Sequence, residues 1–142
     1  MTTLYETDFV EWTEKQVQLL RAEEFEKVDW NHVIEEIESL GISQQRELNS
    51  RLVKLLMHLL KWQFQEPHRS RSWEATIVHQ RGEIEWLLDH NPSLRARLSE
   101  FVSKAYRSAI REASAETGLP RATFPTACPY TLEKIMDDEF LP

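Results

Sequence analysis

The fold is decided by residues 43–64, which read SQQRELNSRLVKLLMHLLKWQF. At the 100° rotation per residue of an α-helix, this segment places a set of mostly apolar side chains on one narrow arc. The members of the arc are Leu48, Leu52, Leu55, Leu56, Leu59 and Gln63. Val53, Leu60 and Phe64 widen it until most sides of the helix are apolar. Such a helix must be buried on most sides, so we expect it at the centre of a helical bundle.

Helical periodicity continues on both sides of this segment, and no alternating run of β-branched residues predicts a strand. We expect further helices over residues 8–21, 29–40 and 92–118, and one from residue 70 or 72 to residue 89. The helix over residues 29–40 carries an apolar stripe that we expect to be buried: Trp30, Val33, Ile34, Ile37 and Leu40. The pattern predicts an all-α fold, a compact bundle of four to six helices.

Local signals mark where these helices begin and end. Asp8 and Asp29 are suitable N-caps, and Pro92 suits the first turn of a helix. Gly41 is expected to stop or bend its helix, and Gly118, with a proline two residues later, is expected to end the last long one. No internal repeat or linker divides the chain, so we expect a single helical domain over residues 1–142.

The C-terminal tail is expected to pack on one side of the bundle. It is irregular in sequence, with three prolines, followed by a short helix that begins at Thr131. Its apolar residues give it the means to pack rather than trail free: Phe124, Tyr130, Phe140 and Leu141.

Composition narrows the class of protein. No apolar run approaches the roughly 18 to 20 residues of a membrane-spanning helix, and the N-terminus has neither the basic nor the apolar part of a secretion signal. The single cysteine, Cys128, cannot build a disulfide framework and is expected to serve in packing. We therefore expect a cytoplasmic protein without a membrane partner. The three glycines are too far apart for a phosphate-binding loop.

Charge is unevenly distributed along the chain. The formal net charge is −7, which disfavours nucleic acid as a partner. Residues 1–41 hold 11 acidic and 3 basic side chains, whereas residues 42–130 hold 9 acidic and 13 basic ones. This asymmetry indicates either charge pairing within the chain, which we favour, or a partner that recognises one sign of charge.

The junction between two predicted helices is the strongest candidate binding site. It contains Trp62, Arg69, Arg71 and Trp73. Guanidinium groups beside a helix N-terminus are suited to hold a phosphate or a carboxylate. The structural alternative is that the tryptophans close the core and the arginines pair with acidic side chains of the N-terminal segment.

Histidines and carboxylates supply weaker candidates. The pairs His32/Glu36 and His79/Glu83 have the spacing of metal ligands on a helix, but each histidine faces away from the predicted core, so we expect no metal and no cofactor. His58 lies within an apolar segment and is either a hydrogen-bonded core residue or a ligand-binding residue.

One face of the helix predicted over residues 70–89 carries a large indole and small residues where a simple amphipathic helix would be polar. It combines Ala75, His79, Gly82 and Glu83 with the large indole of Trp86. Small residues allow another backbone to approach closely, and Trp86 is a suitable anchor. Either the C-terminal tail covers this face, which we favour slightly, or it is an exposed interface.

Several strings of the sequence resemble one known family. They occur at residues 35–41 (EEIESLG), 56–63 (LMHLLKWQ), 69–73 (RSRSW), 116–120 (ETGLP) and 128–132 (CPYTL). The spacing of Tyr5, Asp8, Phe9 and Trp12 fits as well. Together they resemble the bacterial family known as domain of unknown function twenty-nine. The resemblance implies a compact, all-helical, single-domain bacterial protein and no particular activity.

These observations favour a non-enzymatic binding or regulatory module whose partner is a protein or a small anionic ligand, with a homo-oligomer left open. The alternative is an enzyme in which Glu36 or Glu38, His58 and Arg71 form a pocket for a small anionic substrate. Nucleic-acid binding through residues 42–130 ranks third.

Overall fold

The computed structural model describes residues 2–142 and is 79% helical. In this part of the chain it has seven α-helices and no strand, so the all-α prediction is confirmed. The helices are α1 (Leu4–Thr7), α2 (Phe9–Arg21), α3 (Trp30–Phe64), α4 (Arg71–His90), α5 (Pro92–Ala96), α6 (Leu98–Thr117) and α7 (Leu132–Met136). Short 3₁₀ turns occur at Phe25–Lys27, Glu66–His68 and Arg121–Thr123. Four helices are long, and three have only four or five residues.

The predicted N-cap at Asp8 is present, and Ser70 and Thr131 supply two further caps that were not predicted as such. The side chains of Asp8, Ser70 and Thr131 each accept a hydrogen bond from a backbone N–H in the first turn of α2, α4 and α7, respectively. Gly118 follows α6 with a φ of 75°, the left-handed conformation that ends many helices. Asn91 precedes α5, although its side chain donates to the Leu87 carbonyl instead of capping α5.

Two predicted boundaries are wrong. Gly41 neither stops α3 nor separates it from the segment at residues 43–64, because α3 is one helix of 35 residues. A glycine costs a helix only about 1 kcal/mol relative to alanine, whereas ending the helix there would leave four backbone carbonyls to be satisfied elsewhere. In contrast, the predicted helix over residues 92–118 is interrupted at Arg97 and forms α5 and α6.

The chain divides into two compact units, one reaching to Ser43 and one covering Gln44–Pro142. Single-domain organisation stays a prediction. The core of the C-terminal unit contains 23 buried apolar residues, and they come from the C-terminal part of α3, from α4 to α6 and from the tail. Leu48, Leu52, Leu55, Leu56 and Leu59 are completely buried, as their narrow arc predicts.

The C-terminal tail packs on the helices of its own unit, as predicted. Phe124, Tyr130 and Ile135 are buried. The Tyr130 hydroxyl donates to the Gln63 side-chain carbonyl at 2.7 Å, and the Tyr106 hydroxyl donates to the Pro125 carbonyl at 2.6 Å. No helix among residues 2–142 is long and apolar enough to cross a bilayer.

The N-terminal unit is built around a smaller set of contacts. Its buried apolar side chains are Trp12 and Val28. The Trp12 indole donates to the Asp29 carboxylate at 3.0 Å, and the Asp29 backbone N–H donates to the side chain of Gln16 at 2.8 Å. The Tyr5 ring stacks on the His32 ring with 3.9 Å between centroids. These contacts join α1 and α2 to the beginning of α3.

Four of the five residues in the apolar stripe of α3 are exposed, which contradicts the predicted burial of the stripe, and the fifth, Val33, is half-buried. Trp30, Ile34, Ile37 and Leu40 all remain exposed. Tyr5 contacts α3 through His32, on the side that periodicity had assigned to solvent. The helix therefore uses a polar side for its contact with α1 and leaves most of its apolar stripe exposed.

Candidate functional site

Trp62 and Arg69 lie together at the predicted junction site. The Arg69 Nε donates to the Trp62 carbonyl at 2.8 Å, and the guanidinium carbon lies 5.1 Å from the centroid of the Trp62 ring. The carboxylate nearest to Arg69 is that of Glu66, at 3.8 Å. Arg69 therefore contacts three groups of the junction itself: the Trp62 carbonyl, the Trp62 indole and the Glu66 carboxylate.

The Trp73 ring contacts the ammonium group of Lys61, which is not among the residues predicted to form the site. The Lys61 ammonium lies 4.5 Å from the centroid of the Trp73 ring and 2.6 Å from the Glu116 carboxylate. The Lys61 side chain is only 9% exposed, so this ion pair is well shielded on one side. Periodicity gives no signal for the contact, because Glu116 lies 55 residues further along the chain.

Arg71 is the most accessible of the junction arginines. It is the first residue of α4 and is exposed, and within residues 2–142 no ion pair includes it. Ser70 already accepts a hydrogen bond from the Trp73 backbone N–H at 3.2 Å. Anion capture by Arg69 and Arg71 stays a prediction.

His58 is a buried, hydrogen-bonded residue. Its Nδ1 lies 2.8 Å from the Lys54 carbonyl, so the ring donates a proton to the backbone of its own helix. Burial lowers the pKa of His58, and the nearby Lys61 charge lowers it further. The neutral imidazole is therefore the favoured form in this core.

Glu36 and His32 both contact Tyr5 of α1, and His32 also contacts Asp29. The Tyr5 hydroxyl donates to the Glu36 carboxylate, and this hydrogen bond, with partial desolvation, raises the pKa of Tyr5 to about 12. His32 Nδ1 lies 2.7 Å from Asp29 Oδ2, and this hydrogen bond lowers the pKa of Asp29. Both members of this candidate metal pair thus have partners within the protein.

The proposed enzyme residues belong to different units. Glu36 and the exposed Glu38 lie in the N-terminal unit, and His58 and Arg71 lie in the C-terminal unit. An enzyme built from all four stays a prediction. Among residues 2–142, no three His, Cys, Asp or Glu side chains are grouped so that they would hold a metal ion.

The unusual face of α4 is exposed. Trp86 stacks on His90 with 4.0 Å between ring centroids and remains exposed, as do His79 and Gly82. The tail contacts α4 elsewhere, at Arg81, whose guanidinium donates to the Lys134 and Ile135 carbonyls. The favoured interpretation, that the tail covers this face, is wrong.

The N-terminal unit carries most of the exposed large apolar side chains. Nine of the twelve found in residues 2–142 lie in this unit: Phe9, Val10, Val17, Phe25, Trp30, Ile34, Ile37, Leu40 and Ile42. We call the four on one stripe of α3, Trp30, Ile34, Ile37 and Leu40, the N-terminal apolar face. Their spacing of three and four residues places them side by side along the helix. Their helical periodicity predicted that these residues would be buried in the core.

Comparison with known proteins gives one family. A family model described as Domain of unknown function DUF29 matches residues 4–141, nearly the whole chain. No curated protein and no solved structure matches the chain.

Proposed function

This chain belongs to the family described as Domain of unknown function DUF29, and on that premise we propose that it is a non-enzymatic interaction module. The N-terminal apolar face is its proposed binding surface, and its proposed occupant is a basic amphipathic helix of a partner protein. A cytoplasmic setting and a bacterial source are parts of the same proposal.

Exposure of the N-terminal apolar face is the observation that carries this proposal. Trp30, Ile34, Ile37 and Leu40 are 45%, 51%, 63% and 69% exposed. Single exposed apolar residues are ordinary on protein surfaces, but a contiguous apolar stripe is typical of a binding site. An amphipathic helix of a partner fits such a stripe, because its own apolar face has the same three-and-four spacing.

The sparse core of the N-terminal unit supports the need for a partner. It buries only Trp12 and Val28 among its apolar side chains. Units of about 40 residues rarely bury enough surface to be stable without additional support. A partner that covered the stripe would supply the burial that this unit lacks.

Charge identifies the kind of helix that would bind. Residues 1–41 hold 11 acidic and 3 basic side chains, and Glu38 lies next to the stripe on the exposed side of α3. A basic partner is attracted to this surface, whereas two copies of the same acidic surface repel each other. The charge therefore favours a basic helix of another protein over an identical second copy.

A pair of model peptides tests the proposal. The full chain is titrated into a fluorescent amphipathic peptide of Leu/Lys heptads and, separately, into a matched peptide of Leu/Glu heptads, and anisotropy is recorded at moderate salt. We expect saturable binding of the basic peptide alone. Equal binding of the acidic peptide would refute the charge argument, and no binding of either would refute the proposal.

Variants locate the binding surface. The double variant Ile37→Ser with Leu40→Ser should weaken binding by about 100-fold or more, since each buried side chain contributes about 1.5–3 kcal/mol and 1.4 kcal/mol corresponds to tenfold. Leu132→Ser, at an exposed apolar position of α7, is the matched control and should leave binding unchanged. Unchanged binding in the double variant would contradict the proposal. A concentration-dependent dimer that the double variant abolishes would identify a second copy as the occupant and overturn the basic partner.

A further inference from the structure

Arg81 is the most deeply buried charged side chain among residues 2–142, at 2% exposed. Its Nε donates to the Ile135 carbonyl at 2.8 Å, and its Nη2 donates to the Lys134 carbonyl at 3.2 Å. No carboxylate oxygen of residues 2–142 lies within 4.0 Å of its guanidinium. A buried arginine without a directly paired carboxylate is uncommon, because burying a charge is costly unless it is paired.

The remaining N–H groups of Arg81 have no partner in this part of the chain. A guanidinium has five N–H donors, and the two hydrogen bonds to the tail use two of them. Nη1 makes no hydrogen bond within residues 2–142. If it were also fully enclosed, it would be a buried atom without a partner, but the one such side-chain N or O atom in this part of the chain is Asn49 Oδ1. Nη1 therefore reaches open space.

Arg81 also lines a small cavity beside the tail. It has a volume of about 200 Å³ and is lined by Glu74, Ile77, Val78, Arg81, Asp138, Glu139 and Leu141. A turn holds its tail wall, in which the Glu139 and Phe140 backbone N–H groups donate to Asp137 at 2.9 and 3.0 Å. All these residues belong to the C-terminal unit.

We infer that this cavity binds a small zwitterion of the α-amino acid class. The ligand carboxylate accepts hydrogen bonds from Arg81 Nη1, the ligand ammonium faces the carboxylates of Glu74, Asp138 and Glu139, and a short apolar side chain lies against Val78 and Leu141.

The charges of the wall exclude simpler ligands. One guanidinium against three carboxylates repels a plain anion. A plain cation satisfies the carboxylates but leaves Nη1 without an acceptor. A ligand with both a carboxylate and an ammonium group serves both sides of the cavity. The volume lies below the roughly 300–1,000 Å³ of pockets for drug-sized ligands, which restricts the ligand to a small metabolite.

Calorimetric titration of the full chain with L-valine tests the ligand class. Valinamide, which lacks the carboxylate, and N-acetyl-L-valine, which lacks the ammonium group, are the matched controls. We expect saturable binding of L-valine and at least tenfold weaker binding of both analogues. If glycine, L-alanine and L-valine all give no saturable heat up to about 10 mM, or if both analogues bind as well as L-valine, the inference is wrong.

Variants of the acidic wall test the location without disturbing Arg81, whose replacement would also release the tail. Asp138→Asn and Glu74→Gln should each weaken L-valine binding by about tenfold, which is about 1.4 kcal/mol. Glu133→Gln, on the exposed surface of α7, is the control and should bind L-valine normally. Normal binding by both wall variants would overturn the site. The N-terminal apolar face plays no part in these measurements, so the two proposals fail independently.

Discussion

The residues of the junction site were visible in the sequence, but most of their partners were not. Trp62, Arg69 and Trp73 stood out as an aromatic and basic cluster, and the structure places all three at one junction. The contact of Trp73 with Lys61 and the pairing of Lys61 with Glu116 required the fold, because spacing along the chain reports only neighbours within a few helical turns. The same limit hid Arg81, whose partners lie more than 50 residues away.

The Lys61–Glu116 pair should be a measurable source of stability. In Glu116→Gln the shielded Lys61 ammonium keeps the Trp73 ring but loses its counter-charge, so we expect the free energy of unfolding to fall by about 1–3 kcal/mol. Urea unfolding followed by circular dichroism measures the change. Glu112→Gln, at an exposed position of the same helix, should shift the free energy by less than about 0.5 kcal/mol. Equal stability of the two variants would show that the pair contributes nothing.

At the scale of elements, local signals predicted most of the helices. The cap at Asp8 and the end of α6 at Gly118 are confirmed, because they depend on hydrogen bonds and backbone angles within a few residues. The continuity of α3 through Gly41 was missed, since a local glycine penalty does not decide whether a long helix ends. Periodicity also identified the apolar stripe around Ile37 correctly. It could not predict whether the stripe is buried, because burial depends on which other elements pack against it.

Two glycines should respond in opposite directions to replacement by alanine. Gly41 is within α3, and a Cβ there meets no atom within 4 Å, so Gly41→Ala should stabilise the protein by about 0.5–1 kcal/mol. Gly118 has a φ of 75°, so Gly118→Ala should destabilise it by about 1–2 kcal/mol despite equally open space. Thermal unfolding of both variants gives the signs. Gly82 lies in the middle of α4 with open space around it and is the control. Gly82→Ala should stabilise the protein by an amount similar to Gly41→Ala. Destabilisation by Gly41→Ala would argue against an unbroken α3.

At the scale of the whole molecule, the two units differ most in how much they bury. The C-terminal unit has a core of 23 apolar residues, whereas the N-terminal unit buries Trp12 and Val28. The strongly apolar segment at residues 43–64 was enough to predict the larger core. The exposure of the stripe in the smaller unit was not predictable. Its residues have the same spacing as the apolar residues of a buried helix, and spacing does not report which elements pack against it.

This difference predicts that the N-terminal unit opens first. Native-state hydrogen exchange, read by mass spectrometry, should show amides of α2 exchanging much faster than those of α6. Asp29 links this opening to pH, since its hydrogen bonds to His32 and Trp12 lower its pKa below the ordinary 3.8. A carboxyl whose folded-state pKa is lowered stabilises the fold above its unfolded-state pKa, and that contribution disappears as pH falls through the folded-state value. Asp29→Asn, which imitates the uncharged carboxyl at neutral pH, should therefore accelerate exchange in α2 and leave α6 unchanged, while the exposed Glu14→Gln should do neither. Equal protection of α2 and α6 in the unaltered chain would mean that the sparse core does not limit the stability of this unit.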